Sequence, residues 1–225
     1  MDKDTIRVTV LMGGPDRERD VSMLSGTQVA MALETNERFL VSRRVLENPT
    51  LAELTNILHE DAAQVVFPVL HGPWGEGGPL QRMLETIGVP FVGPSSTAAE
   101  RAMDKLVSKT YAAECGIPTP LAHELGPTGM VEVPPPLVIK PADEGSSFGV
   151  RICKTQSECS NAIADLHKEH PRLMCEAFVE GRELTVGILH GEALPIIEIQ
   201  PASGFYDYKA KYHSAQTTYV VNPPI

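Results

Sequence analysis

Leu137-Val138-Ile139-Lys140-Pro141-Ala142-Asp143-Glu144-Gly145-Ser146-Ser147-Phe148-Gly149 opens with a short apolar run that ends on a lysine. A loop of small residues follows, and the chain re-enters an apolar run at Val150 to Cys153. Two strands joined in this way form a hairpin whose tip carries one fixed cation and several free backbone N–H groups. A polyphosphate is held by that combination: a point charge on a rigid element, and a glycine-containing loop that closes over the oxygens. The alternative on these residues alone is a surface hairpin with an exposed lysine.

Upstream of the hairpin the pattern alternates. Ile6 to Met12 is a β-rich run ending in Gly13-Gly14, and Val21 to Glu34 has helical spacing, with Val21, Leu24, Val29 and Leu33 on one broad face. Phe39 to Leu46 alternates as a strand does, Leu51 to Leu58 is helical, and Val65 to Leu70 is a short buried-type run. Leu80 to Ile87 is again helical, and Val89 to Gly93 reads as a short strand. This βαβαβ order predicts a parallel sheet, with ligands beyond the carboxyl ends of its strands, where Gly13-Gly14 and His71-Gly72 face one crevice. Neither a Gly-x-Gly-x-x-Gly fingerprint nor a P-loop is present, which disfavours a nicotinamide fold and a P-loop nucleotidase.

After Gly93 the pattern changes. Ser95 to Cys115 is helical in two pieces broken near Asp104, and Gly116 to Pro120 and Val133 to Pro136 force extended backbone. A helix at Gln156 to Lys168 follows the hairpin, and the runs Leu173–Phe178, Arg182–His190 and Ala193–Gln200 read as antiparallel strands. This second region is α+β, which sets a domain boundary near residue 95.

The 225 residues carry 19 Lys and Arg against 29 Asp and Glu, a net charge of -10. Such a surface repels nucleic acid and anionic lipid, so an anionic ligand must be gripped by a few local lysines. No apolar stretch reaches membrane-spanning length, and the charged start Met1-Asp2-Lys3-Asp4 is unlike a signal peptide. The four cysteines show neither metal-ligand spacing nor a disulfide framework and read as reduced thiols of a cytoplasmic protein.

Asp16, Glu18 and Asp20 crowd the loop ahead of the first helix, where a carboxylate can accept a substrate ammonium or cap the helix. The loop His71 to Gly78 combines the only tryptophan with four glycines, which suggests backbone approaching a small ligand, His71 and Glu76 being its polar candidates; a plain mobile loop is the alternative. Lys105 alone reads as a solvated lysine. Leu173 to Glu183 reads as strand, turn, strand, with acidic residues able to bond an adenine edge and ribose hydroxyls, or simply solvated. Ser203 to His213 mixes four aromatics with lysines Lys209 and Lys211 and looks like a lid that brings Lys211 and Tyr212 over a substrate.

Taken in order, these segments resemble the D-alanine–D-alanine ligase family of the ATP-grasp superfamily. The matching motifs are Leu11-Met12-Gly13-Gly14 with Glu18-Arg19-Asp20-Val21-Ser22, Leu70-His71-Gly72 with Gly75 to Gln81, and Met103-Asp104-Lys105-Leu106. They continue with Val138-Ile139-Lys140-Pro141, Glu144 to Gly149, Gly181 to Val186 and Phe205 to Tyr212. The resemblance implies a three-part fold: an α/β parallel-sheet domain over 1–95, a central ATP-grasp subdomain over 96–181, and an incomplete C-terminal subdomain over 182–225 that includes the lid loop 203–213.

It also implies ligation of two D-alanines through an acyl phosphate at the expense of ATP, for peptidoglycan, in the cytoplasm. Glu18 then grips the ammonium of the first D-alanine, and Ser146 and Tyr212 are its hydrogen-bonded companions. His71 lines the same site, with Glu76 a weaker neighbour. Lys105 and Lys140 hold ATP phosphates, with Ser147 among the ATP-binding positions, and Lys211 approaches the transferred phosphate. Glu176, the backbone near Val179, and Glu183 match the adenine and ribose contacts. Tyr212 favours an amine as second substrate over D-lactate.

The family continues beyond this point with an Arg-x-Asp strand and a Glu-x-Asn segment that bind Mg²⁺ and stabilise the oxyanion, so no metal ligand is expected within the 225 residues. Little turnover is expected of this chain alone, and the alternatives are an inactive nucleotide- or D-alanine-binding fragment and a D-alanine–D-lactate-type ligase. A sheet over Arg182 to Gln200 without its usual cover is expected to self-associate, as a homodimer.

Overall fold

A computed structural model describes residues 5–126, 133–202, 206, 208–212 and 216–224. The sequence reading of Met1-Asp2-Lys3-Asp4 and parts of the 203–213 segment lie outside the described residues. Two compact units divide the chain, Met1–Ser108 and Lys109–Ile225.

In the first unit β1 (Ile6–Gly13) is the central strand. It is flanked in parallel by β2 (Phe39–Leu46) and β3 (Val65–Pro68), with Val8 opposite both Val41 and Val65. Both faces of this sheet are covered, as parallel sheets require. Helix α1 (Arg19–Glu34) lies over Val8, Val10 and Met12. Helices α2 (Leu51–Glu60) and α4 (Pro79–Ile87) cover Leu11 and Val66 with Leu54, Leu58, Leu80 and Leu84. Between β3 and α4, the glycine loop contains one helical turn, α3 (Gly72–Gly75).

Two expectations are corrected here. The Val89–Gly93 run forms only a single parallel bridge, Val66 to Phe91, because Pro90 supplies no N–H to a ladder. Leu24 points to solvent, since the buried face of α1 is Ser22, Gly26 and Ala30. Small residues let the helix axis approach the sheet closely: a Cβ on Gly26 would sit 2.6 Å from Met12 Cβ.

The helical region after Gly93 breaks where the sequence predicts. Helix α5 (Ser96–Met103) ends at Asp104, whose extended ψ of 110° redirects the chain. Asp104 Oδ1 accepts from the N–H of Leu106 and Val107, 2.9 and 3.1 Å away, and so caps α6 (Lys105–Glu114).

In the second unit an antiparallel sheet has the order β4-β7-β5-β6, built from β4 (Ala122–Leu125), β5 (Leu137–Pro141), β6 (Arg151–Cys153) and β7 (Leu173–Ala177). The hairpin at Lys140 is the β5–β6 pair, in register Leu137 to Cys153. Helix α7 (Gln156–Leu166) starts at a capping box of Thr155 and Glu158 and packs Cys159, Ala162, Ile163 and Leu166 on Leu137, Ile139, Leu173 and Cys175. Pairing of consecutive strands fails for Leu173 to Glu183. Strand β7 pairs with β4 and β5, whereas β8 (Glu183–Thr185) belongs to another sheet.

A two-stranded ribbon of β9 (Ile188–Leu189) and β10 (Glu192–Ala193) follows. Strand β11 (Ile197–Gln200) pairs antiparallel with β8 and with β12 (Thr218–Val221), and between β11 and β12 lies the short α8 (Tyr208–Tyr212). Leu184, Ile188 and Leu189 on these strands, and Val186 and Leu194 beside them, are exposed.

Candidate active site

The first unit gathers its candidates at the carboxyl ends of β1 and β3. Gly13 and Gly14 both have φ near +90°, and side chains there would meet Leu46 O at 2.6 Å and Leu70 Cδ2 at 2.8 Å. Ser22 pins this junction, accepting from the Gly13 N–H at 2.9 Å and donating to Val69 O. Arg19 donates to Gly14 O and Leu46 O at 3.0 and 2.7 Å. Glu18, one residue before α1, is 4% exposed.

Asp16 ties the two loops together. Its Oδ2 accepts from the N–H of Trp74 at 2.9 Å and of Gly75 at 3.1 Å, and a Cβ on Gly72 would collide with it at 2.6 Å. Burial nevertheless pushes its carboxyl above the ordinary value, against the lowering effect of those two bonds and with Glu76 raising it further. His71 Nδ1 lies 3.6 Å from Glu76 Oε2, and Glu76 Oε1 accepts from Gly72 N–H at 3.2 Å. The Glu76 carboxylate holds the imidazole above its ordinary pKa against the opposing effect of burial, and the charge of Glu18 adds to it. His71 Nε2 is buried without a hydrogen-bond partner among the described residues, as a group open to a polar ligand would be. Glu18, His71 and Glu76 therefore form one acidic cluster with a basic centre, suited to an ammonium and carboxylate together. Lys105, also in this unit, heads α6 beside Asp104.

The second unit places Lys140 and Glu176 together on the sheet face away from α7. Burial alternates along β5, so Leu137 and Ile139 face the helix while Val138 and Lys140 face the opposite way. Val138 is opposite Glu176 on β7, which makes Lys140 and Glu176 diagonal neighbours on that face. Lys140 Nζ lies 2.5 Å from Glu176 Oε2 as an ion pair, and this buried oxygen has no hydrogen-bond partner among the described residues. Lys109 Nζ is 3.4 Å from Glu176 Oε1 and donates to Pro120 O at 2.7 Å. Sequence reading missed Lys109; its one signal is a lysine a helical turn after Lys105, which a solvated helix face supplies equally well.

The loop after β5 is held in an unusual shape. Ser146 and Ser147 have φ of 50° and 61°, a conformation that disfavours side chains by roughly 1 kcal/mol or more each. Contacts to Tyr206, Tyr208 and Tyr212 accompany this strain. Ser146 Oγ and Tyr212 Oη are 3.1 Å apart, Ser147 Oγ donates to Tyr206 O at 3.1 Å, and Phe148 stacks on Tyr208 with centroids 4.6 Å apart. Lys211 Nζ sits 5.4 Å from the centre of the Tyr206 ring. Burial, with the Tyr219 hydroxyl 2.9 Å away, pushes the Tyr206 phenol up to about 12. Val179 and Glu183 are exposed, and Glu183 sits at the start of β8. Among the described residues no three His, Cys, Asp or Glu side chains are grouped to hold a metal ion.

The chain is similar to known proteins over nearly all its length. The family models for the N-terminus and C-terminus of D-ala D-ala ligase match residues 43–94 and 129–225. A D-alanine–D-alanine ligase of Methylacidiphilum infernorum is 37% identical over 218 residues, covering 97% of this chain and 70% of the relative. One from Aquifex aeolicus is 39% identical, covering 95% and 73%. A Bacillus anthracis D-alanine–D-alanine ligase structure, complexed with ATP, superposes with a TM-score of 0.79 at 31% identity, covering 97% of this chain and 72% of that one. The chain therefore belongs to the D-alanine–D-alanine ligase family, a family of ATP-dependent ligases.

Proposed function

We propose that this chain supplies the amino-acid and nucleotide grips for joining two D-alanines into D-alanyl-D-alanine at the expense of ATP, for peptidoglycan synthesis in the cytoplasm. No helix among the described residues is long and apolar enough to cross a membrane. The observation that carries the proposal is a pair of buried polar atoms without a hydrogen-bond partner among the described residues, His71 Nε2 in the acidic cluster and Glu176 Oε2, which is ion-paired with Lys140.

Glu18 receives the ammonium of the first D-alanine, and His71 meets its carboxylate. Ser146 and Tyr212 close on the same amino acid, and Glu76 keeps the His71 ring protonated and oriented. For the nucleotide, the Glu176 carboxylate takes the adenine amino group, an interaction guanine with its carbonyl cannot make. The backbone near Val179 takes the base edge, Glu183 the ribose, and Lys105, Lys140 and Ser147 the phosphates. ATP supplies the phosphoryl group that activates the first carboxylate, and Lys211 neutralises charge as it moves. The amine of the second D-alanine then attacks the acyl phosphate carbonyl and phosphate leaves. Closure of the lid over Ser146 and Ser147 keeps water from the acyl phosphate. Among the described residues no three His, Cys, Asp or Glu side chains are grouped to hold the Mg²⁺ that would accompany the nucleotide phosphates.

The test is phosphate release from ATP, Mg²⁺ and D-alanine. We expect little from the 225-residue chain alone and restored release when the C-terminal segment of a relative is added in trans. Robust turnover by the chain alone contradicts the reading that the Mg²⁺ ligands are not among these 225 residues. Glu18→Gln should abolish restored release, and unchanged release removes Glu18 from the reaction. A preference for D-lactate over D-alanine as second substrate would count against the role given to Tyr212. The exposed Leu184, Val186, Ile188, Leu189 and Leu194 support self-association as a homodimer. Sedimentation of a clean monomer at high concentration contradicts it.

A further inference from the structure

Glu176 is mostly buried and carries two ammonium partners, Lys140 on one oxygen and Lys109 on the other. All three side chains are less than one-fifth exposed, so none is a screened surface charge. Lys140 is the cation on the phosphate-binding hairpin, yet in this arrangement its ammonium is committed to Glu176. A polyphosphate that draws Lys140 away removes one of the two positive charges from a buried carboxylate, and an uncompensated buried charge is strongly destabilising. Lys109 has a different tether. Its ammonium is anchored to Pro120 O at 2.7 Å, on the connection between α6 and β4, and still reaches Glu176 Oε1.

We propose that Lys109 is a positioning residue for nucleotide binding: it keeps Glu176 paired, so that Lys140 is released to the phosphates. This rests on the nucleotide reading of the same face. Glu176 is then shared in turn. Before binding it has two ammonium partners; after binding it keeps Lys109 and gains the adenine amino group. Without Lys109, Lys140 becomes the sole counter-charge of Glu176 and a nucleotide must compete for it.

Two measurements test the proposal on the 225-residue chain. In thermal melts, Lys109→Met and Lys140→Met should each lower the midpoint modestly, by roughly 2–4 °C. The double variant should lose clearly more than the sum, and adding Glu176→Gln should restore most of the loss. Additive losses without rescue by Glu176→Gln overturn the shared-carboxylate arrangement. In calorimetric titrations with ATP, Lys109→Met should bind on the order of tenfold more weakly, the effect of one buried charged contact. Lys109→Arg should recover most of that affinity. If Lys109→Met folds poorly, the comparison moves to Lys109→Met/Glu176→Gln against Glu176→Gln, where the buried carboxylate that Lys109 serves is gone and no penalty in ATP affinity from losing Lys109 is expected. Wild-type affinity in Lys109→Met overturns the inference while leaving the nucleotide site standing. Failure of the wild-type chain to bind ATP overturns both, even when the melting cycle confirms the ion network.

Discussion

At the scale of single residues, the first unit depends on carboxylates whose partners are backbone N–H groups. Asp16 holds the turn that carries His71 by accepting from Trp74 and Gly75. Asp16→Ala leaves two N–H groups without an acceptor and should lower stability by about 1–3 kcal/mol. Asp16→Asn keeps an acceptor oxygen and removes a charge that burial disfavours, so it should cost far less. Equal losses in urea unfolding would contradict this ranking. His71 gives the pH dependence. Its pKa is raised above 6.5 in the folded state by Glu76. The contact therefore stabilises the fold fully below that value, and the benefit fades as pH rises through the folded pKa. Glu76→Gln should accordingly lie well below wild type in melting midpoint at about pH 6 and close to it at about pH 9. A gap that is the same at both pH values contradicts the pairing.

At the scale of elements, legibility followed the range of the interactions. The β5–β6 hairpin, the break at Asp104 and the start of α7 at Thr155 were readable, because each is decided by residues within a few positions of one another. Helix α1 was placed correctly but oriented wrongly, since its apolar residues suggested a face through Leu24. The contact is instead made by Ser22, Gly26 and Ala30, and the demand for small residues comes from Met12 on a strand the helix pattern does not contain. The same holds for β7 and β8, whose partners lie far away in sequence. Gly26→Ala sets two effects against each other. Replacing a mid-helix glycine gains about 1 kcal/mol of propensity, whereas overpacking costs typically ~1–3 kcal/mol. The obstructing atom is Met12 Cβ, 2.6 Å away and fixed to the backbone, so the clash should win and the variant should melt below wild type. A higher midpoint would show that α1 can shift away from the sheet at little cost.

At the scale of the whole molecule, the motifs named the family and the ligand classes, while the structure supplied the ion network that the motifs do not mention. Lys140 and Glu176 were both marked in the sequence as separate contacts, phosphate and adenine. Their pairing follows from the register of β5 against β7, which places Val138 opposite Glu176. Lys109 had no distinguishing signal in the chain, because its role depends on the fold bringing α6 to the same carboxylate. The comparison with relatives adds a second scale: these 225 residues correspond to about 70% of the length of the Methylacidiphilum infernorum ligase. Amino-acid and nucleotide grips can therefore be assayed by binding, separately from turnover. The central claim is that the Lys140 hairpin and Glu176 form an adenine nucleotide site. Calorimetric titration of the chain with ATP tests it most directly, with Lys140→Met as the comparison and GTP as competitor. The account predicts saturable one-to-one binding of ATP, affinity lower by about tenfold or more in Lys140→Met, and no competition by GTP. Equal affinity in Lys140→Met, or displacement of ATP by GTP at matched concentration, would contradict it.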